Sequence, residues 1–76
     1  MSLLPQISGR EVIKIFENLG YRVVRQRGSH IRLRPPQGSE LKPLTIPDHK
    51  VIGKGLLRKL IRDADISVER FIELAK

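Results

Sequence analysis

The sequence contains no cysteine and no tryptophan, and only two phenylalanines and one tyrosine. The absence of cysteine excludes disulfides, thiolate metal sites and thiol nucleophiles. The two histidines are too few for a structural zinc site, which needs four nitrogen or sulfur ligands. No apolar run approaches the roughly 20 residues of a membrane span, and the N-terminus lacks the apolar core of a signal peptide. We therefore expect a soluble, cytoplasmic domain without a metal or other cofactor.

The length limits the fold that the chain can form. A chain of 76 residues allows one domain, which we assign to residues 1–76. With 39% apolar residues it can bury one modest core, which in chains of this size supplies only roughly 3–5 kcal/mol of net stability. Well-capped elements or a stable partner are therefore expected.

The basic residues are concentrated in two blocks of a chain whose formal net charge is +7. Residues 21–34 contain five arginines and no acidic residue, and residues 50–62 contain five lysines or arginines and again no acid. Two such blocks in an otherwise near-neutral chain favour a polyanion-binding surface over a merely solubilising one. The planar guanidinium of arginine suits phosphate better than an ammonium does, so the first block favours nucleic acid.

Hydrophobic periodicity and breaker residues predict six elements in the order α-β-β-β-α-α. Ser8 and Glu11 form a capping-box pattern ahead of the first helix, and Gly20 can take the left-handed conformation that ends it. Gly28-Ser29 is a turn signal between residues 21–27, which alternate imperfectly, and residues 30–34, which alternate strictly; Pro47 stops a third strand. The expected elements are a helix over about residues 9–19, strands over 21–27, 30–34 and 44–46, a helix whose N-terminus lies at Gly53-Lys54-Gly55, and a last helix after Ser67.

This order packs as an α+β fold, with a three-stranded antiparallel sheet that has its helices on one face and leaves the other face open. Ile31 and Leu33 are the apolar set of the second strand and must point to the helices. Because successive side chains of a strand alternate, His30, Arg32 and Arg34 then point to the open face. An imidazole is therefore expected among guanidinium groups, an arrangement that the fold itself does not require.

Several blocks of the sequence resemble the HicA-type (YcfA-like) mRNA interferase toxins, over about residues 8–75. The combination is specific because a Gly-Ser-His tripeptide follows a basic strand and precedes the later blocks. The chain departs from the family pattern at Leu56, where Thr is common, at Asp48, where Arg or Lys is frequent, and in a proline-rich loop over residues 35–43. The matching runs are Ser8-Gly9-Arg10-Glu11-Val12, Gly20-Tyr21, Arg25-Gln26-Arg27-Gly28-Ser29-His30, Ile46-Pro47-Asp48-His49, and residues 53–58 and 64–71.

The resemblance implies a double-stranded-RNA-binding-domain-like fold, in agreement with the predicted element order. It also implies an endoribonuclease that cleaves mRNA, the toxin of a type II toxin–antitoxin pair, in which the histidine of Gly-Ser-His is required. That histidine is His30. A HicB-type antitoxin would bind the toxin and silence it.

The chemistry of RNA cleavage fits these residues without a metal, because the 2′-hydroxyl of RNA is itself the nucleophile. Imidazole has a reference pKa of about 6.5 and suits proton transfer near neutral pH, so we assign His30 as general acid or base. Guanidinium groups suit the developing phosphate charge, and Lys54 starts a helix whose free N–H groups attract phosphate. The predicted RNA contacts are Arg25, Arg27, Gly28, Ser29, Arg32, Arg34 and Lys54.

Three assignments stay open in the sequence. The second proton-transfer partner is unassigned; His49 is a candidate, although a structural role in its loop is favoured. Lys59 and Arg62 either extend the basic track from Lys54 or form a solvated helix face. Stacking of aromatic side chains on RNA has little support in the sequence: Tyr21 is the only plausible platform, since both phenylalanines fall on apolar helix faces.

Two rival functions fit the same sequence. A non-catalytic RNA-binding module of this fold would use His30 only as a contact to phosphate or 2′-hydroxyl. A basic protein-interaction domain would instead dock an acidic partner. A metal-dependent nuclease is disfavoured because the carboxylates are scattered and no pair of them is expected on the face of His30.

Overall fold

The computed structural model describes residues 4–76, so the first three residues of the domain assigned to 1–76 lie outside the described part. The predicted order α-β-β-β-α-α is confirmed, and the architecture is an α+β fold like that of a double-stranded-RNA-binding domain. The elements are helix α1 (Gly9–Asn18), strands β1 (Arg22–Arg27), β2 (His30–Arg34) and β3 (Leu44–Pro47), and helices α2 (Lys54–Asp63) and α3 (Val68–Leu74).

Helix α1 begins at the predicted capping box. Ser8 Oγ accepts a hydrogen bond from the Glu11 backbone N–H at 3.2 Å, and the Ser8 N–H donates to Glu11 Oε1 at 3.3 Å. Gly20 follows the helix with a φ of +101°, where any other residue would be strained and its Cβ would lie 2.9 Å from the Pro36 ring. Gly20 therefore turns the chain from α1 into β1.

The sheet is antiparallel with the strand order β1-β2-β3, so β2 is central. Ile31 and Leu33 of β2 pair with Ile46 and Leu44 of β3, and all four side chains belong to the buried core. Every residue of β1, by contrast, is exposed. The helices therefore cover the β2–β3 half of one sheet face and leave β1 as an exposed edge strand.

A β-bulge interrupts β1. Arg22 pairs with Arg34, and Arg25 pairs with Arg32. Three steps along β1 therefore correspond to two steps along β2, and Val24 has no partner in the described ladder. Directly paired residues of an antiparallel ladder share a face, so the extra residue changes which side chains of β1 lie together. The residues that share one face as a result are Arg22, Arg25 and Arg27.

One apolar core joins the helices to the sheet. Phe16 of α1 and Phe71 of α3 are fully buried with ring centroids 6.0 Å apart, as their positions on apolar helix faces predicted. Leu4 and Ile7, which precede α1, are buried as well, a contribution that the sequence pattern did not indicate. Among residues 4–76 no charged residue is buried, and no helix is long and apolar enough to cross a membrane.

Candidate active site

The open face of the sheet gathers the first basic block around one imidazole. His30, Arg32 and Arg34 of β2 are exposed, which confirms the predicted alternation. Each of them faces an arginine across the β1–β2 ladder, because the bulge brings the three arginines of β1 onto this side. We call these six side chains the cationic face: His30 opposite Arg27, Arg32 opposite Arg25, and Arg34 opposite Arg22.

The turn beside His30 consists of Gly28 and Ser29. Gly28 has a φ of +56° and Ser29 a negative φ, as in a type II′ turn, whose twist matches the flanking strands of a hairpin. The Gln26 side-chain amide donates to the Gly28 carbonyl oxygen at 3.0 Å. A Cβ added at Gly28 would meet no atom of residues 4–76 within 4 Å, so a ligand can approach the backbone of this turn closely.

The arginines of the cationic face are available to an anionic ligand. Within residues 4–76, the ion pairs involve other cations, at Arg10, Lys59 and Arg70. Arg32 is the one member of the face with a side-chain partner in this part of the chain: its Nη1 donates to Oγ1 of Thr45 at 3.0 Å. Thr45 is also its register partner on β3. The hydrogen bond fixes the guanidinium of Arg32 without neutralising its charge.

The segment that follows β3 contacts the turn beside His30, on the side away from β1. The Asp48 N–H donates to the Ser29 carbonyl oxygen at 2.6 Å, and the His49 carbonyl oxygen accepts from the Gly9 N–H at 2.9 Å. His49 thus holds its loop through its main chain, while the residue as a whole is exposed. In residues 4–76 no group of three or more histidine and carboxylate side chains is arranged to hold a metal ion.

Comparison with known families identifies the chain. The sequence profile of a family described as the HicA toxin of bacterial toxin–antitoxin systems matches residues 9–66, from the start of α1 to beyond the end of α2. The chain belongs to the HicA toxin family. It is therefore a toxin of a toxin–antitoxin system, whose partner is an antitoxin. Searches of curated proteins and of solved structures gave no match.

Tyr21 of this HicA toxin, the only plausible stacking platform in the sequence, is not placed to stack on RNA. The residue is only 2% exposed and its ring packs edge-on against Phe16, with the centroids 5.6 Å apart. The positive φ of Gly20 turns the chain so that the next side chain enters the core. Burial raises the pKa of the Tyr21 hydroxyl, and the negative charge of Asp63 raises it further.

The second basic block of the toxin lies mostly on α2, outside the two strands that carry the cationic face. Lys54 opens α2 as predicted and is exposed; α2 itself packs its apolar side into the core, on the covered side of the sheet. Lys59 is engaged with Asp63, Nζ to Oδ2 at 3.1 Å, and this hydrogen bond lowers the pKa of the carboxyl. Of the predicted RNA contacts, Lys54 is the one that lies outside the β1–β2 hairpin.

Proposed function

We propose that this HicA toxin is an endoribonuclease that cleaves mRNA in the cytoplasm without a metal ion, with His30 as general acid or base. The observation that carries the proposal is the pairing of His30 with Arg27 on an exposed face whose remaining members are arginines. In residues 4–76 no carboxylate forms an ion pair with these arginines. An imidazole is thus held where a polyanion would be attracted.

The reaction uses the 2′-hydroxyl of the RNA as nucleophile. Its oxygen forms a bond to the adjacent phosphorus while the bond from phosphorus to the 5′-oxygen of the next nucleotide breaks, which yields a cyclic phosphate and a free 5′-hydroxyl. His30 either accepts the proton of the 2′-hydroxyl or donates one to the leaving oxygen. The second proton-transfer partner is unassigned; the structure gives His49 a main-chain contact to Gly9, which fits the structural role favoured for it.

The arginines nearest to His30 would bind the phosphate that is cleaved. Arg27 lies directly opposite His30, and such partners have Cβ atoms about 4.5–5.5 Å apart. Arg32 lies two residues along the same strand, about 7 Å away at the rise of a β-strand. Guanidinium donors so placed would stabilise the charge on the pentavalent phosphorus.

The remaining predicted contacts would hold the RNA on either side of that phosphate. Arg25 and Arg34 extend the cationic face away from the turn, and Arg22 joins them because of the bulge. The backbone of Gly28 and Ser29 leaves room for the ribose at the other end. Lys54 lies on α2, outside the hairpin that carries the cationic face, and would contact RNA that continues beyond this face.

The antitoxin is proposed to be of the HicB type and to silence the toxin by binding it. We expect the product of the neighbouring gene to co-purify with the toxin and to stop RNA cleavage when it is added in equimolar amount. Cleavage that continues in the isolated complex would contradict this proposal, because a toxin must be inactive while its partner is bound.

The decisive experiment compares wild type, His30→Ala and His49→Ala on a labelled transcript in the presence of EDTA. His49→Ala is the matched control, because the chain has only two histidines. We expect wild type and His49→Ala to cleave the RNA, and His30→Ala to bind it without cleaving. Intact RNA with wild type would leave only an RNA-binding module. Association with an acidic protein that RNA does not compete away would favour an interaction domain instead.

A further inference from the structure

The start of α1 is connected to the turn beside His30 through the segment of residues 47–49. On one side of this segment, the Gly9 N–H donates to the His49 carbonyl oxygen at 2.9 Å; on the other, the Asp48 N–H donates to the Ser29 carbonyl oxygen at 2.6 Å. The first residue of the helix and the last residue of the turn are therefore one short segment apart.

Gly9 makes this close approach possible. A Cβ at position 9 would overlap the carbonyl oxygen of Pro47 and lie 3.0 Å from its carbonyl carbon and 3.3 Å from Cα of Asp48. The requirement is for space, because Gly9 is a buried helical residue without a positive φ. Any side chain here would push α1 away from the segment that holds the turn.

The exposed side chain of Arg10 binds Asp48 of the same segment. Its Nε donates to Oδ1 of Asp48 at 3.1 Å and its Nη2 donates to Oδ2 at 2.9 Å. Two parallel bonds of this kind fix the orientation of the carboxylate as well as its distance. The hydrogen bond and the charge of Asp48 also raise the pKa of Arg10. Because Arg10 is exposed, the pair contributes orientation rather than much stability.

We propose that Gly9 and the Arg10–Asp48 pair are positioning residues for His30. The turn that precedes His30 is exposed, and so is every residue of β1 on its other side. The Gln26 side chain holds the turn from within the hairpin. The segment 47–49 ties it to the rest of the fold through Asp48, and His30 itself pairs with Pro47 of that segment. This inference rests on the proposed nuclease function, in which the imidazole must be aimed at one atom of the substrate.

The test separates RNA binding from cleavage in Asp48→Ala, with Arg70→Ala as the control that removes an ion pair within α3. Single-turnover cleavage is measured at saturating toxin, and affinity is measured with 2′-O-methyl RNA, which has no nucleophile. We expect Asp48→Ala to bind this RNA somewhat more tightly, because a negative charge near the cationic face is lost. Its cleavage rate should nevertheless fall about tenfold, since misplacing a catalytic group is costly.

A charge swap then distinguishes positioning from a direct role of the carboxylate. The double variant Arg10→Asp with Asp48→Arg restores the pair in the opposite sense, and we expect it to recover most of the cleavage rate. Gly9→Ala should lose cleavage as well. Because Gly9→Ala could fail to fold, the two surface variants decide the outcome. Unchanged cleavage in Asp48→Ala, or no recovery in the swap, would overturn the inference.

Hydrogen exchange keeps this test independent of the nuclease proposal. The Asp48 amide donates to Ser29, so its exchange reports whether the segment still holds the turn. We expect faster exchange at this amide in Arg10→Ala than in wild type or Arg70→Ala. If wild type cleaves no RNA, the proposed function fails, but the exchange rates still show whether the start of α1 controls the turn. Equal exchange of the Asp48 amide in Arg10→Ala and wild type would refute that control.

Discussion

His30 and Arg27 face each other in the last pair of the β1–β2 ladder, directly beside the Gly28-Ser29 turn. Both side chains are exposed, so neither contributes to the core. Two basic side chains directly opposite each other are not a pair that stabilises a ladder. A hairpin does not need such a pair to fold, whereas a phosphate between the two side chains would be attracted by both.

Arg27→Gln is expected to weaken RNA binding in a salt-dependent manner. Each phosphate of a single strand that a protein neutralises contributes about 0.7 to the slope of log affinity against log salt concentration. Losing one contact should therefore lower the magnitude of this slope by about 0.7, with similar effects on different RNA sequences. Binding of 2′-O-methyl RNA over a series of salt concentrations measures the slope. Arg70→Gln, on α3, should retain the wild-type slope; an unchanged slope for Arg27→Gln would remove Arg27 from the phosphate contacts.

Deletion of Val24 is expected to preserve RNA binding, although it shortens the basic strand. The residue is the extra one of the bulge and is 48% exposed. Without it, regular alternation alone places Arg22, Arg25 and Arg27 on one face. We expect RNA affinity within about twofold of wild type, because every phosphate contact is kept.

Deletion of Gln26 is the matched control for the same strand. It leaves the chain equally short but moves Arg25 to the position opposite Ile31, on the helix side of the sheet. We expect weaker RNA binding and a lower melting temperature than for the Val24 deletion. Equal behaviour of the two deletions would show that the bulge does not control which side chains form the cationic face.

The β2 face could be predicted from the sequence, and the β1 face could not. Ile31 and Leu33 must be buried. Because side chains alternate along a strand, this requirement directs the side chain of His30, the residue before Ile31, to the open face. In β1 no residue is buried, so no hydrophobic pattern specifies its register. The bulge at Val24 therefore appears in the sequence only as imperfect alternation.

Local sequence patterns also could not predict the contacts between distant parts of the chain. Arg10 and Asp48 are 38 residues apart, and their pairing depends on how α1 docks beside β3. The same docking explains why residue 9 is a glycine. Its backbone has no positive φ that would require glycine, but a Cβ at this position would overlap Pro47. Tyr21 was misplaced because its burial depends on the direction that Gly20 gives the chain, which periodicity does not encode.

Tyr21→Phe is expected to stabilise the toxin. The Tyr21 hydroxyl is buried without a hydrogen-bond partner among residues 4–76, and an unsatisfied buried polar group costs about 1–3 kcal/mol. A gain of about 1 kcal/mol would raise the melting temperature of a domain this size by roughly 4–8 °C. RNA affinity should not change, because the ring is inside the core. A lower melting temperature would mean that the hydroxyl has a partner in the folded protein.

The ionisation of Tyr21 provides a pH-dependent test of the same environment. Tyr21 is the only tyrosine and there is no tryptophan, so tyrosinate absorbance reports this residue alone. Burial first, and the charge of Asp63 second, raise its pKa above the ordinary value of 10.0. The folded protein therefore holds the proton more tightly than the unfolded chain. The resulting contribution to stability is fully present below about pH 10 and is lost as the pH rises through the folded pKa.

We expect the absorbance midpoint of the native toxin to lie above that of the urea-unfolded chain. Asp63→Asn removes the smaller cause, so it should move the native midpoint towards the unfolded value without reaching it. Tyr21→Phe should abolish this part of the alkaline loss of stability, measured by urea unfolding at several pH values. Coincident midpoints for native and unfolded wild type would contradict the burial of Tyr21, and would return its ring to the surface where base stacking is feasible.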